Sequence, residues 1–234
     1  AAVARLAEIY ANGRDFLGRH FFSPVERMEL VEIVVGRQTS DATLAKAFDI
    51  VLQLGKTPIV VGDGRGFFTS RVILARLLEA AAMLGEGVAP ASIEQASLQA
   101  GYPVGTLALL DELTLTLPHK IFGQFRDEAH STDAVFVDHP GDAVLAMMIE
   151  ANRPGRAAGA GFYDYSDGRR TGLWSGLSHR FGSGQGHQKL SDLIDRLLFA
   201  ETIDTARCLE SGLLRSTADA NVGSVLGIGF PVWT

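Results

Sequence analysis

Two apolar runs, residues 16–22 and 30–35, sit either side of a short polar segment containing Pro24, and no other stretch limits the fold so tightly. Each run has strand length and is rich in aromatic or β-branched residues. The connector is shorter than the dozen or so residues a parallel crossover requires, so the two strands are expected to be antiparallel neighbours. His20 and Glu32 are equally far from Glu26. A turn centred there makes them a directly opposed pair, with Cβ atoms about 5 Å apart. Glu32 lies between Val31 and Ile33, where an unpaired carboxylate loses several kcal/mol of solvation. Two readings of the pair stay open. One is an imidazole poised as general base, its tautomer held by the carboxylate. The other is a purely structural His–Glu contact.

Around this pair the pattern is α/β. Residues 2–11 look helical and end at the turn dipeptide Asn12-Gly13. A second helix is expected after Ser40 or Asp41 as cap, with Leu44, Ala47, Phe48, Val51 and Leu52 on one face and Gly55 at its end. Residues 58–61 read as a third strand, so residues 1–64 look like the end of an α/β sheet domain. The glycine-rich stretches 62–66 and 182–186 both fail the dinucleotide fingerprint. Phe67 and His187 stand where its third glycine belongs. A hinge and a linker are the simpler readings.

From Phe67 onward the pattern is helical. It covers FFTSRVILARLLEAAAMLGEG to Gly87, then residues 90–99, the apolar run 107–117 and residues 140–151. Residues 152–165 read as a Gly-rich turn ending in an aromatic extended segment. Residues 166–189 read as a Gly-rich linker, and helices return from Leu190. Residues 70–87 align without gaps on residues 195–212, pairing Arg71 with Arg196, Ala75 with Ala200, Ala81 with Ala206, Leu84 with Leu209 and Gly87 with Gly212. Gly101-Tyr-Pro-Val is echoed by Gly229-Phe-Pro-Val. Such a repeat implies two copies of one helical unit that pack face to face, the second incomplete at Thr234.

A net charge of −6 argues against a nucleic-acid or anionic-membrane surface. The single cysteine, Cys208, forms no intrachain disulfide and suits a reducing compartment. No apolar run reaches the length of a membrane span. The opening AAVARLAEIY lacks an initiator Met and a signal-peptide layout, so the chain is expected to be an internal piece of something longer. His119, His130, His139, His179 and His187 lack metal-ligand spacing. Asp111 and Glu112 read as a helix-surface or interface pair, and Tyr102 and Phe230 as core anchors. From the residues alone Ser70 reads as an N-terminal helix cap and Ser23 as a turn serine before Pro24.

HFFSPVERMELVEIV, GRGFFTSRV, GYPVGTLALLDEL and GRAAGAGFYDY, in that order, resemble the motifs of the 3-hydroxyacyl-CoA dehydrogenases. The doubled helices are similar to those of the multifunctional α subunits of fatty-acid β-oxidation. The resemblance implies the end of a Rossmann-type NAD-binding domain at 1–64 and a first helical C-terminal domain at 65–165. A linker at 166–189 and an incomplete second repeat at 190–234 would follow. It implies His20 as catalytic base and Glu32 as its partner, Ser70 on the substrate and Ser23 on the cofactor, NAD, with no metal. It further implies an acyl-CoA substrate, enoyl-CoA hydratase activity in the parent, a thiolase β subunit as partner, and an oligomer. The expected location is the bacterial cytoplasm, with the mitochondrial matrix or peroxisome as alternatives. Ser70 departs from the family's usual Asn, Arg65 from its proline, and Ala157, Ala158 and Ala160 from polar or basic residues. The rival class is a non-catalytic helical dimerisation or interaction module. A β-hydroxyacid-type dehydrogenase fits less well, because those resemble a pattern built on a catalytic lysine.

Overall fold

A computed structural model of the chain describes residues 2–10, 12–131, 136–182 and 188–234. In chain order the elements begin α1 (Ala2–Ala7), β1 (Leu17–Phe21), β2 (Leu30–Val35), α2 (Asp41–Gln53) and β3 (Thr57–Gly62). The helices α3 (Thr69–Gly85), α4 (Pro90–Ala100), α5 (Thr106–Leu113), α6 (Thr116–Ser131) and α7 (Pro140–Glu150) come next. The hairpin β4 (Tyr163–Ser166) and β5 (Arg169–Leu173) precedes α8 (Gly176–Phe181), α9 (Leu190–Glu210) and α10 (Thr217–Ile228). The chain divides into two compact units, Ala1–Ile73 with Thr202–Thr234, and Leu74–Glu201.

The first unit is built on the sheet β1-β2-β3. β1 runs antiparallel to β2, as the short connector requires, and β2 runs parallel to β3 through the crossover helix α2. Every residue of β2 is buried. Its alternation assigns Leu30 and Val34 to one face, with Ile59, Val61, Phe68, Val72, Leu214 and Ile228. Val31 and Ile33 take the other face, against Ala47 and Val51 of α2. Glu32 has the parity of Leu30 and Val34, so its carboxylate enters the layer where α3 begins. Ser40 caps α2 by accepting from Thr43 N at 3.3 Å.

Two expectations change here. α1 stops at Ala7 instead of residue 11, because Ile9 N and Tyr10 N donate to Leu6 O and Ala7 O and tighten the chain into turns. On α2 only the Ala47–Val51 column is buried against the sheet, and Phe48 and Leu52 of the expected apolar face stay 37% and 52% exposed. The glycine segment 62–66 is packed into the unit. Gly62 N donates to Leu213 O at 2.8 Å, and the Asp63 carboxylate accepts from Val3 N at 3.3 Å and Ala4 N at 2.6 Å, capping α1.

The second unit is helical, with the β4–β5 hairpin on it. Arg76 and Glu201, both almost fully buried, pair at 2.8 Å. Tyr102 OH donates to Glu201 at 2.7 Å, and the Arg76 guanidinium lies 3.9 Å from the Tyr102 ring centre. Tyr102 is thus the core anchor expected. Phe230, partly buried against the core of the sheet unit, is another. Asp111 corrects the surface-pair reading, because it is buried and accepts from Phe162 N, Tyr163 N and Tyr165 OH at 2.8, 2.9 and 3.1 Å. The GRAAGAGFYDY loop turns its amides inward and needs an acceptor there. A Cβ on Gly161 would collide with the Asp111 carboxylate, which is what the glycine is for. Burial pushes the Asp111 carboxyl up to about 6. Glu112, by contrast, is exposed and pairs with Arg156 at 2.8 Å.

Glu94 caps α5 by accepting from Leu107 N at 2.7 Å. The apolar run 107–117 is not one helix, since Thr114 takes φ +68° and separates α5 from α6. His119 and His130 fall within α6 and His179 within α8. His119 Nδ1 meets Asp142 at 2.6 Å, and His139 caps α7 by accepting from Gly141 N at 3.2 Å. The expected linker carries β5 and α8 in its first part. Its residues 183–187, His187 among them, lie outside the described residues.

Candidate functional site

The site grows from the β1–β2 register, in which His20 and Glu32 are directly opposed. Nδ1 of His20 lies 2.5 Å from Oε2 of Glu32. Glu32 is fully buried, whereas the His20 side chain is 29% exposed. Glu32 does not rely on histidine alone for its solvation. Its Oε1 accepts from Phe68 N at 3.1 Å and Thr69 N at 3.0 Å, and its Oε2 also accepts from Thr69 Oγ1 at 2.9 Å. The buried carboxylate therefore caps α3 and favours the positive end of that helix. Four donors occupy the four acceptor positions a carboxylate has.

A carboxylate only accepts, so the 2.5 Å contact is a hydrogen bond in the tautomer that carries its proton on Nδ1. The neutral ring then has a bare Nε2, ready to take a proton. Phe22 and Phe67 flank the imidazole, with ring centres 4.6 and 5.7 Å from it. They restrict its rotation and supply a dry wall. The chain enters α3 through Gly66 and Phe67, both at positive φ, +66° and +50°. For phenylalanine this is an uncommon conformation, and with it the Phe67 ring lies beside His20.

Ser70 is the second residue of α3, half-buried, and the amides at the helix start belong to Glu32 instead of to its hydroxyl. Ser23 is exposed, three residues past His20 and just before Pro24, in the connector between β1 and β2. Lys56 closes that connector by donating to Val25 O and Met28 O, each at 2.7 Å. Sequence reasoning missed Lys56, Phe67 and Thr69. The signal for Thr69 was present, since a second hydroxyl stands directly before Ser70 at the start of a helix.

The 62–66 segment offers no pyrophosphate cradle, because Leu213 fills it. A Cβ on Gly64 would come 2.5 Å from Leu213 Cδ1. Among the described residues there is no cluster that could hold a metal ion, and no helix long and apolar enough to cross a membrane.

Residues 1–64 match the family described as 3-hydroxyacyl-CoA dehydrogenase, NAD binding domain, and residues 66–165 its C-terminal domain. The fatty acid oxidation complex subunit alpha of Shewanella sp. (strain ANA-3) is 32% identical over 235 residues, covering 98% of this chain and 32% of that protein. Its counterpart in Vibrio cholerae is 34% identical over 220 residues, 93% of this chain and 30% of that one. The chain thus spans about a third of the length of the curated relatives it matches. Among solved structures, (S)-3-hydroxybutyryl-CoA dehydrogenase from Ralstonia eutropha aligns with a TM-score of 0.65 at 33% identity, over 71% of this chain and 58% of that one. The 3-hydroxybutyryl-CoA dehydrogenase of Escherichia coli shares the fold over 98% of this chain and 64% of its own, with a TM-score of 0.77 at 19% identity.

Proposed function

The chain belongs to the 3-hydroxyacyl-CoA dehydrogenase family, and we propose that its His20–Glu32 pair handles the proton in NAD-dependent oxidation of L-3-hydroxyacyl-CoA to 3-ketoacyl-CoA. The observation that carries this reading is the 2.5 Å contact between Nδ1 and the buried carboxylate, which leaves Nε2 as the free acceptor. NAD, when bound, supplies the acceptor for the hydride from C3. His20 Nε2 takes the hydroxyl proton as that hydride departs, and the C–O bond becomes the ketone. Glu32 stays an anion and favours the imidazolium so formed. Ser70, at the start of α3, donates to the substrate's hydroxyl or thioester oxygen. Ser23 contacts the nicotinamide side of the cofactor. Phe22 and Phe67 keep water from the ring.

We place this chain in a multifunctional α subunit of fatty-acid oxidation, on the strength of the relatives' names and the helical repeat. Further support for duplication comes from ion pairs on α3 and α9. Arg71 Nη2 donates to Asp204 at 2.8 Å, and Arg196 Nε donates to Glu79 at 2.6 Å. A shift of 125 residues turns Arg71 into Arg196 and Glu79 into Asp204, so one pair becomes the other with its helices exchanged. Arg76 and Glu201, themselves 125 apart, exchange places with each other. That reciprocity is what two copies of one helical unit would give, and it supports the duplication. Enoyl-CoA hydratase activity elsewhere in the protein, a thiolase β subunit as partner, oligomerisation and a bacterial cytoplasmic location complete the proposal.

The test is an assay of the protein carrying this chain with NAD and L-3-hydroxybutyryl-CoA, followed by NADH absorbance. NADH is expected from the L isomer and not from the D isomer. Absence of NADH from a folded protein that binds NAD would overturn the reading.

A further inference from the structure

We propose that Thr69 is a positioning residue of the same centre: its hydroxyl selects the Glu32 oxygen that faces His20 and moderates the grip of that oxygen on the imidazole proton. This rests on the reading of His20 as the base. Oε2 of Glu32 is shared by two donors, His20 Nδ1 at 2.5 Å and Thr69 Oγ1 at 2.9 Å. Oε1 is held separately by the backbone amides of Phe68 and Thr69. The carboxylate is thereby fixed in plane and in rotation, and Thr69 contributes to both of its oxygens.

The hydroxyl has no freedom to leave. Thr69 is fully buried. Its methyl carbon lies where a Cβ on Gly227 of α10 would come within 2.9 Å, so the close approach of that helix fixes the methyl group. A β-branched side chain has few rotamers, and placing its methyl also places its hydroxyl. A threonine in a helix's first turn ordinarily caps its own backbone or bonds the preceding turn. Here it spends its proton on the carboxylate that orients the base.

Losing that donor concentrates charge on Oε2 and strengthens its hold on the imidazolium. The other groups facing Glu32 do not compensate. Cys208 on α9 is a neutral thiol, pushed up to about 11 chiefly by burial. Arg71 is engaged by Asp204 through Nε at 2.9 Å and Nη2 at 2.8 Å.

The experiment compares Thr69→Val, which keeps the methyl, with Thr69→Ser, which keeps the hydroxyl. In the active protein, the acid limb of the kcat/KM profile is expected to move to higher pH by about half to one unit in Thr69→Val, and to stay in place in Thr69→Ser. The KM for acyl-CoA should change less than about twofold in both, since neither touches the substrate. In the chain itself, the Nδ1 proton resonance of His20 should move in Thr69→Val alone. A limb that stays put in Thr69→Val, or equal effects of the two variants, would overturn the proposal. Should Thr69→Val not fold, Thr69→Ala removes the same donor and is held to the same limb shift. If His20→Ala proves fully active, the base assignment fails. If His20 is required but the limb does not move, Thr69 alone has been misread.

Discussion

His20→Ala is expected to lower kcat for L-3-hydroxyacyl-CoA oxidation by roughly 10²–10⁴-fold, the usual worth of a positioned general base. The loss should fall on kcat and kcat/KM together, because the hydroxyl proton is taken only as hydride leaves, in the transition state. Affinity for acyl-CoA should be nearly unchanged. The fold should also survive, since His20 is part-exposed and Glu32 keeps three other donors, two amides and the Thr69 hydroxyl. Steady-state kinetics with NAD saturating, beside a thermal melt, check both halves. A variant that melts like the parent yet turns over normally would remove the base from the mechanism.

Arg76→Met should destabilise the helical unit by about 3–5 kcal/mol, the cost of stranding one partner of a buried ion pair. Glu201 is almost wholly enclosed, and Tyr102 OH would remain as a donor to it. Burial already pushes the Glu201 carboxyl up from its ordinary value, with Arg76 the first influence opposing that shift. Without Arg76 the carboxyl rises further and takes a proton in the folded state. A carboxyl raised on folding contributes stability at low pH that is lost as pH rises through its folded value. The deficit of Arg76→Met should therefore be larger at about pH 8 than at about pH 5. Arg76→Met combined with Glu201→Leu removes both charges and should recover most of the loss. Urea unfolding at the two pH values, with the double variant included, measures all three effects.

The sheet and the His20–Glu32 contact were legible because both follow from short-range rules. A connector too short for a crossover fixed the antiparallel register, and that register alone opposed His20 to Glu32. Two helices came close to their expected limits, α2 with its serine cap and α3 with its glycine stop at Gly87. What stayed hidden depends on partners distant in sequence. Asp111 looked like a surface residue because the amides it binds lie 51 and 52 residues away. The linker reading of 166–189 was driven by composition, whereas β5 is defined by pairing with β4. The second partnership of Glu32, with the start of α3, spans 36 and 37 residues. No spacing rule announces it.

The most direct measurement is ring-nitrogen NMR of His20 in this chain and in Glu32→Gln. In the neutral ring, Nδ1 should carry the proton, strongly deshielded by the carboxylate, and Nε2 should be bare. Glu32→Gln should abolish the deshielded signal and shift the tautomer balance. A proton resident on Nε2, or spectra that are the same with and without the carboxylate, would contradict the account.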